Sequence, residues 1–528
     1  MISPAFLEGA GRWRGIGLVS GLLVALAPPA SLLLPGLWPF PDLAPEFFVS
    51  IGRSLGVGAG AALLGLAAGL PVGLIAGLYL FPLRRLFLAM LALPLVIPSF
   101  LWAIGLSSLR IESGLPPDSL LSGASGSVLA FTAFTTPLVA LATYLAVSGL
   151  SETQVQAARI AGGEGVVLRY ALGAVLPVAV GVALLGGVLT LSDPGPGQIL
   201  GFRGVAADIL TSFAALYDFG LAARQSAVLG VAVLVCSVPV LVYTARGLAH
   251  ALMARSPNPV DPIPWCVAMR VGPVLCAVVA AMILAAPLIG LVLPVLGRLE
   301  WAAALETVRR TAANTVAYAL LAGFVAAGLG LGLAICAGRA PSLRRVLFAG
   351  LVVVFVLPPA LGALGTIFVA SGAPAWLDPV VRSRSTVGAV LGLRLVPVPA
   401  ILFVRALGQM PASWALAASV HGVGLGRYGL RVLLPFMAPT FGLAVLLVAL
   451  LATADVGTVL LLQPPGEDSL PVSIFTVMAN APGSLVAALC LAYVATAGAA
   501  IVLGGLAIRV LGGHRLPGGA HPGSMVPR

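Results

Sequence analysis

Twelve apolar stretches, each near the ~20 residues that a helix needs to cross a bilayer, leave this chain one environment in which to fold. They lie near residues 15–36, 54–80, 86–109, 125–147, 173–192 and 225–245, then, past an Arg- and Pro-containing linker, near 272–296, 312–338, 346–370, 385–407, 435–462 and 485–508. Only 9% of the 528 residues are charged and 60% are hydrophobic, too little polarity to cover a soluble surface. The expected fold is an all-α polytopic membrane protein with about 12 transmembrane helices. The first stretch follows Arg12 and Arg14 and precedes Pro28-Pro29, as a signal peptide would; it is expected to be retained, because its removal would leave an odd count.

The arginines orient these spans. With both termini cytoplasmic, 18 arginines and four acids fall on the cytoplasmic side, nine arginines and thirteen acids on the other, and Arg394 lies inside a span. That bias is the positive-inside pattern. The net charge of +11 includes no basic run with interleaved aromatics, so nucleic-acid binding is excluded. No lysine occurs, which excludes a phosphate-loop ATPase site in this chain. The cysteines, Cys236, Cys266, Cys276, Cys336 and Cys490, are scattered and read as small hydrophobes, not metal ligands.

The chain also repeats. Ser54 matches Asn314, Arg84-Arg85 match Arg344-Arg345, Pro98 matches Pro358 and Gly162 matches Gly422, all 260 residues apart; Asp193 matches Asp455 at 262. Six spans per half is even, so both copies point the same way, related by an axis along the membrane normal. The division is a first half at 1–245, a cytoplasmic linker at 246–270, a second half at 271–510 and a cytoplasmic tail at 511–528.

Two islands of ordinary polarity, 152–177 and 412–435, sit at matching places. Both carry Ala-Ala-x-x-x-Gly (Ala157, Ala158, Gly162; Ala417, Ala418, Gly422), then Arg-Tyr (Arg169, Tyr170; Arg427, Tyr428), then Leu-Pro (Leu176, Pro177; Leu434, Pro435). The pattern fits a helix, a glycine turn and a second helix entering the next span. It resembles the coupling loop of the membrane subunits of binding-protein-dependent ATP-binding cassette importers, Glu-Ala-Ala-x-x-x-Gly followed about thirteen residues on by Leu-Pro. Gln156 and Leu416 stand at the acid's place, and the first loop carries two extra residues before its proline.

The resemblance implies a type I importer permease with two pseudo-symmetric six-helix halves in a bacterial inner membrane, one copy per transporter. Two copies of a separate cytoplasmic ATPase, which carry the ATP and Mg, would grip Gln156, Ala157, Ala158 and Gly162 on one loop and Leu416, Ala417, Ala418, His421 and Gly422 on the other. A solute-binding protein would dock on the outer face. The chain would need no cofactor and perform no covalent chemistry. Fusion of two permease units is similar to the subgroup handling ferric iron or thiamine, in that order of expectation.

Several residues then become candidates for a path or gate. Arg394 is costly inside a span, ~2.5 to 3.5 kcal/mol on insertion scales, so it faces a pore, pairs with a polar group or snorkels. Asp193 and Asp455 cap a helix, line an outer vestibule or meet a periplasmic partner. Pro98 and Pro358 kink matching spans, as a gate or as structure. His421 has no accompanying ligand and is not a metal site. The alternative function is an ion-coupled secondary transporter, against which Arg394 stands as essentially the one ionisable group within the spans.

Overall fold

The computed structural model describes residues 4–38, 42–253, 260–297 and 300–513. In the first half, α1 (Pro4–Leu37) and α2 (Pro45–Leu78) are followed by α3 (Arg84–Ala92) and α4 (Ser99–Glu112), then α5 (Gly123–Val147), α6 (Glu152–Thr190), the short α7 (Gly195–Leu200) and α8 (Val205–Ala214), and α9 (Phe219–Met253). In the second, α10 (Cys266–Ala280) runs through a π turn into α11 (Ala286–Gly297), followed by α12 (Trp301–Ala337), α13 (Pro341–Val356), α14 (Pro359–Ser371), α15 (Asp378–Val381), α16 (Arg384–Leu395), α17 (Pro397–Gln409), α18 (Ala412–Val420), α19 (Leu425–Tyr428), α20 (Leu434–Thr453), α21 (Val456–Leu462), α22 (Leu470–Val477) and α23 (Gly483–Gly513). Nine helices among the described residues are long and apolar enough to cross a membrane, and up to twelve if each of three bent pairs is one span. The chain is an all-α polytopic membrane protein.

The bent pairs correct the expectation of continuous helices at 86–109, 346–370 and 385–407: α3 and α4 meet at 96°, α13 and α14 at 85°, and α16 and α17 at 54°. Proline is the cause at the two sharper bends. Pro98 and Pro358 sit outside any helix, at ψ 139° and 136°, as the caps of α4 and α14. Each forces the residue before it out of helical geometry and restarts a helix behind it, so the break is complete and not a kink. Within the stretch expected as the linker, 246–270, α9 continues to Met253 and α10 begins at Cys266. Residues 254–259 with Arg255, and 514–528 of the tail with Arg515 and Arg528, lie outside the described residues.

In each half one long helix is the hub. α2 packs on α5 and α6, and α12 packs on α16, α17 and α20. The first helix of each half crosses over: α1 lies on α14 and also touches α12 and α13, while α10–α11 continues onto α4 and α23. Both crossings use one device. A side chain on Gly365 of α14 would collide with the Pro28 carbonyl of α1, and one on Gly105 of α4 with the Pro287 carbonyl of α11, so glycine permits backbone-to-backbone approach. Ser31 fastens the first crossing, donating to Gly365 O at 3.1 Å.

The short helices α8 and α22 are also held alike. Their first N–H groups, which no helical carbonyl can satisfy, donate to hydroxyls on the hubs, Val205 N to Ser54 Oγ at 3.0 Å and Leu470 N to Thr315 Oγ1 at 2.8 Å. The equivalent of Ser54 in this role is therefore Thr315; Asn314 instead donates to Asp468 O at 3.3 Å.

Candidate functional site

A cavity of about 200 Å³ opens where the three broken spans meet the ends of α6 and α20. Its wall is mostly apolar and takes residues from both halves, among them Pro98, Phe100, Phe134, Pro358, Phe355 and Phe475. Three charged residues line it: Asp193, Arg394 and Asp455.

Asp455 stands between α20 and α21 and is 8% exposed. Its Oδ1 accepts from Thr458 N at 3.0 Å, capping α21. Its Oδ2 pairs with Arg394 Nη1 at the bend between α16 and α17. Arg394 thus has both a polar partner and a place in the cavity wall. Asp193, between α6 and α7, accepts from Gly195 N at 2.9 Å on one oxygen and from the Ser99 hydroxyl on the other. Both carboxylates therefore cap or turn the backbone, one of the roles expected for them, and line the cavity.

The two arrangements are not copies. At an offset of 260, Arg394 corresponds to Phe134 and Ser99 to Pro359, and all four line the cavity. Asp455 takes its partner from the α16–α17 bend and Asp193 from the head of α4. The cavity consequently holds one carboxylate balanced by a guanidinium and one held only by neutral donors. The Ser192 hydroxyl and Arg394 Nε have no hydrogen-bond partner among the described residues.

The second region carries the Ala-Ala-x-x-x-Gly stretches. Gln156, Ala157 and Gly162 are exposed on the first, and Leu416, Ala417, His421 and Gly422 on the second; Ala158 and Ala418 are half-buried. Ile160 and Val420, 260 residues apart, are 88% and 82% exposed, an apolar pair that the motif concealed in an x position. The turns differ. Gly422 has φ +64°, as a helix-ending glycine should. In the first loop Gly162 is extended at φ −174°, and the left-handed residue is its neighbour Gly163, with φ 67° and ψ −162°. The expected role of Gly162 therefore passes to Gly163, because the extra residues of this loop shift the turn by one.

The tyrosines of the shared Arg-Tyr pattern fold back onto these arms. Tyr170 donates to Gln154 Oε1 at 2.7 Å, and Tyr428 reaches Met410 Sδ at 3.8 Å. Beyond that the anchors diverge. In the first loop Glu164 pairs with Arg159 at 2.5 Å across the break and accepts from Tyr79 Oη at 2.7 Å. Burial, and after it the bond to Glu164, push the Tyr79 phenol above its ordinary value, so it remains a donor. The chain after α9 closes over this anchor: Tyr79–Leu80 pairs in parallel with Ile263–Pro264, Trp265 packs 4.9 Å from the Tyr79 ring, and Asp261 N donates to Glu152 Oε2 at 3.1 Å. The second loop has Arg339, the counterpart of Tyr79 at offset 260, donating to Met410 O at 2.5 Å, and Trp414 edge-on to Phe436.

Among the described residues no group of three or more His, Cys, Asp or Glu is placed to hold a metal ion. No protein-family model, curated protein or solved structure matches the chain.

Proposed function

We propose that the chain is the membrane permease of an ATP-driven, binding-protein-dependent importer, and that the cavity is a station on its translocation path. The observation that carries this reading is the pair of exposed arms. Each presents a small-residue face beside a strongly exposed branched apolar residue, Ile160 or Val420, ends in a turn that only glycine adopts readily, and continues into the span whose far end bears a cavity carboxylate. By the arginine bias the arms lie on the cytoplasmic side. An ATPase subunit would close on Ile160 and Val420, and a tilt of α6 or α20 would move Asp193 or Asp455. The twelve spans would then form two pseudo-symmetric halves, with a solute-binding protein on the opposite face.

The test is reconstitution with the ATPase encoded nearest to this chain. Ile160→Asp and Val420→Asp, which touch nothing in the core, should abolish ATPase copurification. Gly163→Ala should impair coupling more than Gly162→Ala, because the conformation of Gly163 is essentially closed to other residues. Copurification that survives both aspartates would refute the docking assignment. Asp193, Arg394 and Asp455 sharing one cavity favours a second reading, a secondary transporter coupled to an ion gradient; uptake by this chain alone, driven by a proton gradient without ATP, would establish it.

A further inference from the structure

The charges in the cavity discriminate between solutes. Arg394 and Asp455 neutralise one another, so neither is free to hold a solute ion without breaking the pair. Asp193 has no ion-pair partner among the described residues, and its two hydrogen bonds come from the neutral Ser99 hydroxyl and Gly195 N–H. Asp193 is therefore the one carboxyl of the cavity with no cationic side chain paired to it, and in an apolar wall its ionised form is stable only beside an opposite charge. An anionic solute would meet the Asp193 carboxyl, and the one unpartnered guanidinium atom, Arg394 Nε, belongs to a group whose charge is already balanced by Asp455.

The remaining wall decides what kind of cation fits. Phe100, Phe131, Phe134, Phe213, Phe355 and Phe475 all line the cavity. Ring faces attract a diffuse, weakly hydrated cation and offer its body apolar contact. A hard metal ion instead needs about six oxygen ligands, and one free carboxylate with a few hydroxyls falls short of that. An independent sign of a ligand is Ser192, which lines the cavity, is 7% exposed and leaves its hydroxyl without a partner. A buried hydroxyl is normally satisfied, and a polar substituent on the solute would satisfy it.

We propose that this cavity takes an organic monocation with a flat apolar body, that Asp193 is its counter-ion, and that the phenylalanines hold its ring. The proposal rests on reading the chain as a permease, but binding can be measured without any ATPase. Three ligands of one ring skeleton serve as probes: 1-methylnicotinamide, a cation; nicotinamide, neutral; and nicotinate, an anion. Equilibrium dialysis against the purified full chain should show the cation held at least tenfold more tightly than the other two. Asp193→Asn should remove that preference and Asp193→Glu retain part of it. Phe134→Arg, which copies the Arg394 arrangement into the first half, should pair Asp193 internally and abolish cation binding while the protein stays monodisperse in gel filtration.

Equal affinity for all three probes, no binding of the cation, or a cation preference that persists in Asp193→Asn would overturn the proposal. Displacement of the bound cation by ferric citrate in an Asp193-dependent manner would overturn the organic class in favour of a metal. Should the preference hold while no ATPase associates with the arms, the cavity assignment stands and the ATP-driven reading falls; the reverse result removes only the cation assignment.

Discussion

The crossing of α1 over α14 yields the sharpest structural prediction, because two glycines one turn apart on the same helix should respond with opposite signs. A Cβ on Gly365 would lie 2.9 Å from Ser31 Oγ and 3.0 Å from the Pro28 carbonyl carbon, and closer still to the Pro28 oxygen. Ordinary contacts begin at 3.4 Å, so α1 and α14 must part by more than ~1 Å, a gap that forfeits about half of each dispersion contact along the crossing. Overpacking of this kind costs about 1–3 kcal/mol. Separation also weakens the Ser31–Gly365 hydrogen bond, about 0.6 kcal/mol in a membrane. Against these stands the gain of replacing glycine in a helix interior, about 0.8–1.0 kcal/mol. Gly365→Ala should therefore lose about 0.6–2.8 kcal/mol net. Gly362, with no atom within 4 Å of its Cβ position, has only the gain, so Gly362→Ala should be neutral or stabilising. Apparent melting temperature in detergent, followed by gel filtration after heating, gives the order Gly365→Ala, wild type, Gly362→Ala. If Gly365→Ala melts with Gly362→Ala, α1 does not cross α14 through Pro28 and the exchange of first helices is wrong.

Ser54→Ala and Thr315→Ala should each cost about 1 kcal/mol, by analogy with lost helix caps, whereas Thr307→Ala, whose hydroxyl bonds only its own helix, should be close to neutral in the same melting assay. Arg394→Leu strands Asp455 in a dry site and should destabilise by about 3–5 kcal/mol, while Arg394→Leu with Asp455→Asn should recover most of that loss; additive losses in the double mutant would show that the two side chains are not paired. Because the Tyr79 phenol is raised in the folded protein, its bond to Glu164 contributes fully below about pH 10 and is lost as pH rises through the raised value. Wild type and Tyr79→Phe should thus differ in stability at neutral pH and converge only in strong alkali, and a constant difference across that range would exclude the bond.

How much of this was legible beforehand depended on whether the signal was local. A bilayer imposes one length on every span, so the apolar stretches named their helices, and proline acts on its own backbone, so Pro98 and Pro358 marked the breaks but not their angle. The crossings of Gly105 and Gly365 were not readable, because nothing near a glycine states which carbonyl it will meet. Gly162 was taken for the turn since it aligns with Gly422, yet backbone geometry is settled by the whole loop, and the extra residues moved the left-handed position to Gly163. Ile160 and Val420 escaped for a different reason: isoleucine and valine in a membrane protein announce burial, and only the fold shows these two pointing away from it.

The repeat pattern picks out Asp193 and Asp455 because the two share chemistry, and it hides their partners because Phe134 and Arg394, or Ser99 and Pro359, share none. That divergence has a physical reason. Two carboxylates facing one apolar cavity repel and lack water, so a strictly symmetric pair would be driven to neutralise at least one of them. A transporter assembled from two identical subunits could relieve this only by placing an arginine in both copies, which leaves no net charge, or in neither. A fused chain can place one guanidinium, at Arg394, and leave Phe134 as an apolar wall beside Asp193. The same freedom appears at the arms, where one loop is tied by Tyr79, Glu164 and Arg159 and the other by Arg339 and Trp414. Joining the halves in one polypeptide thus allows an odd number of ionisable side chains around one cavity together with two unlike arms, an arrangement that no symmetric pair of identical subunits can build.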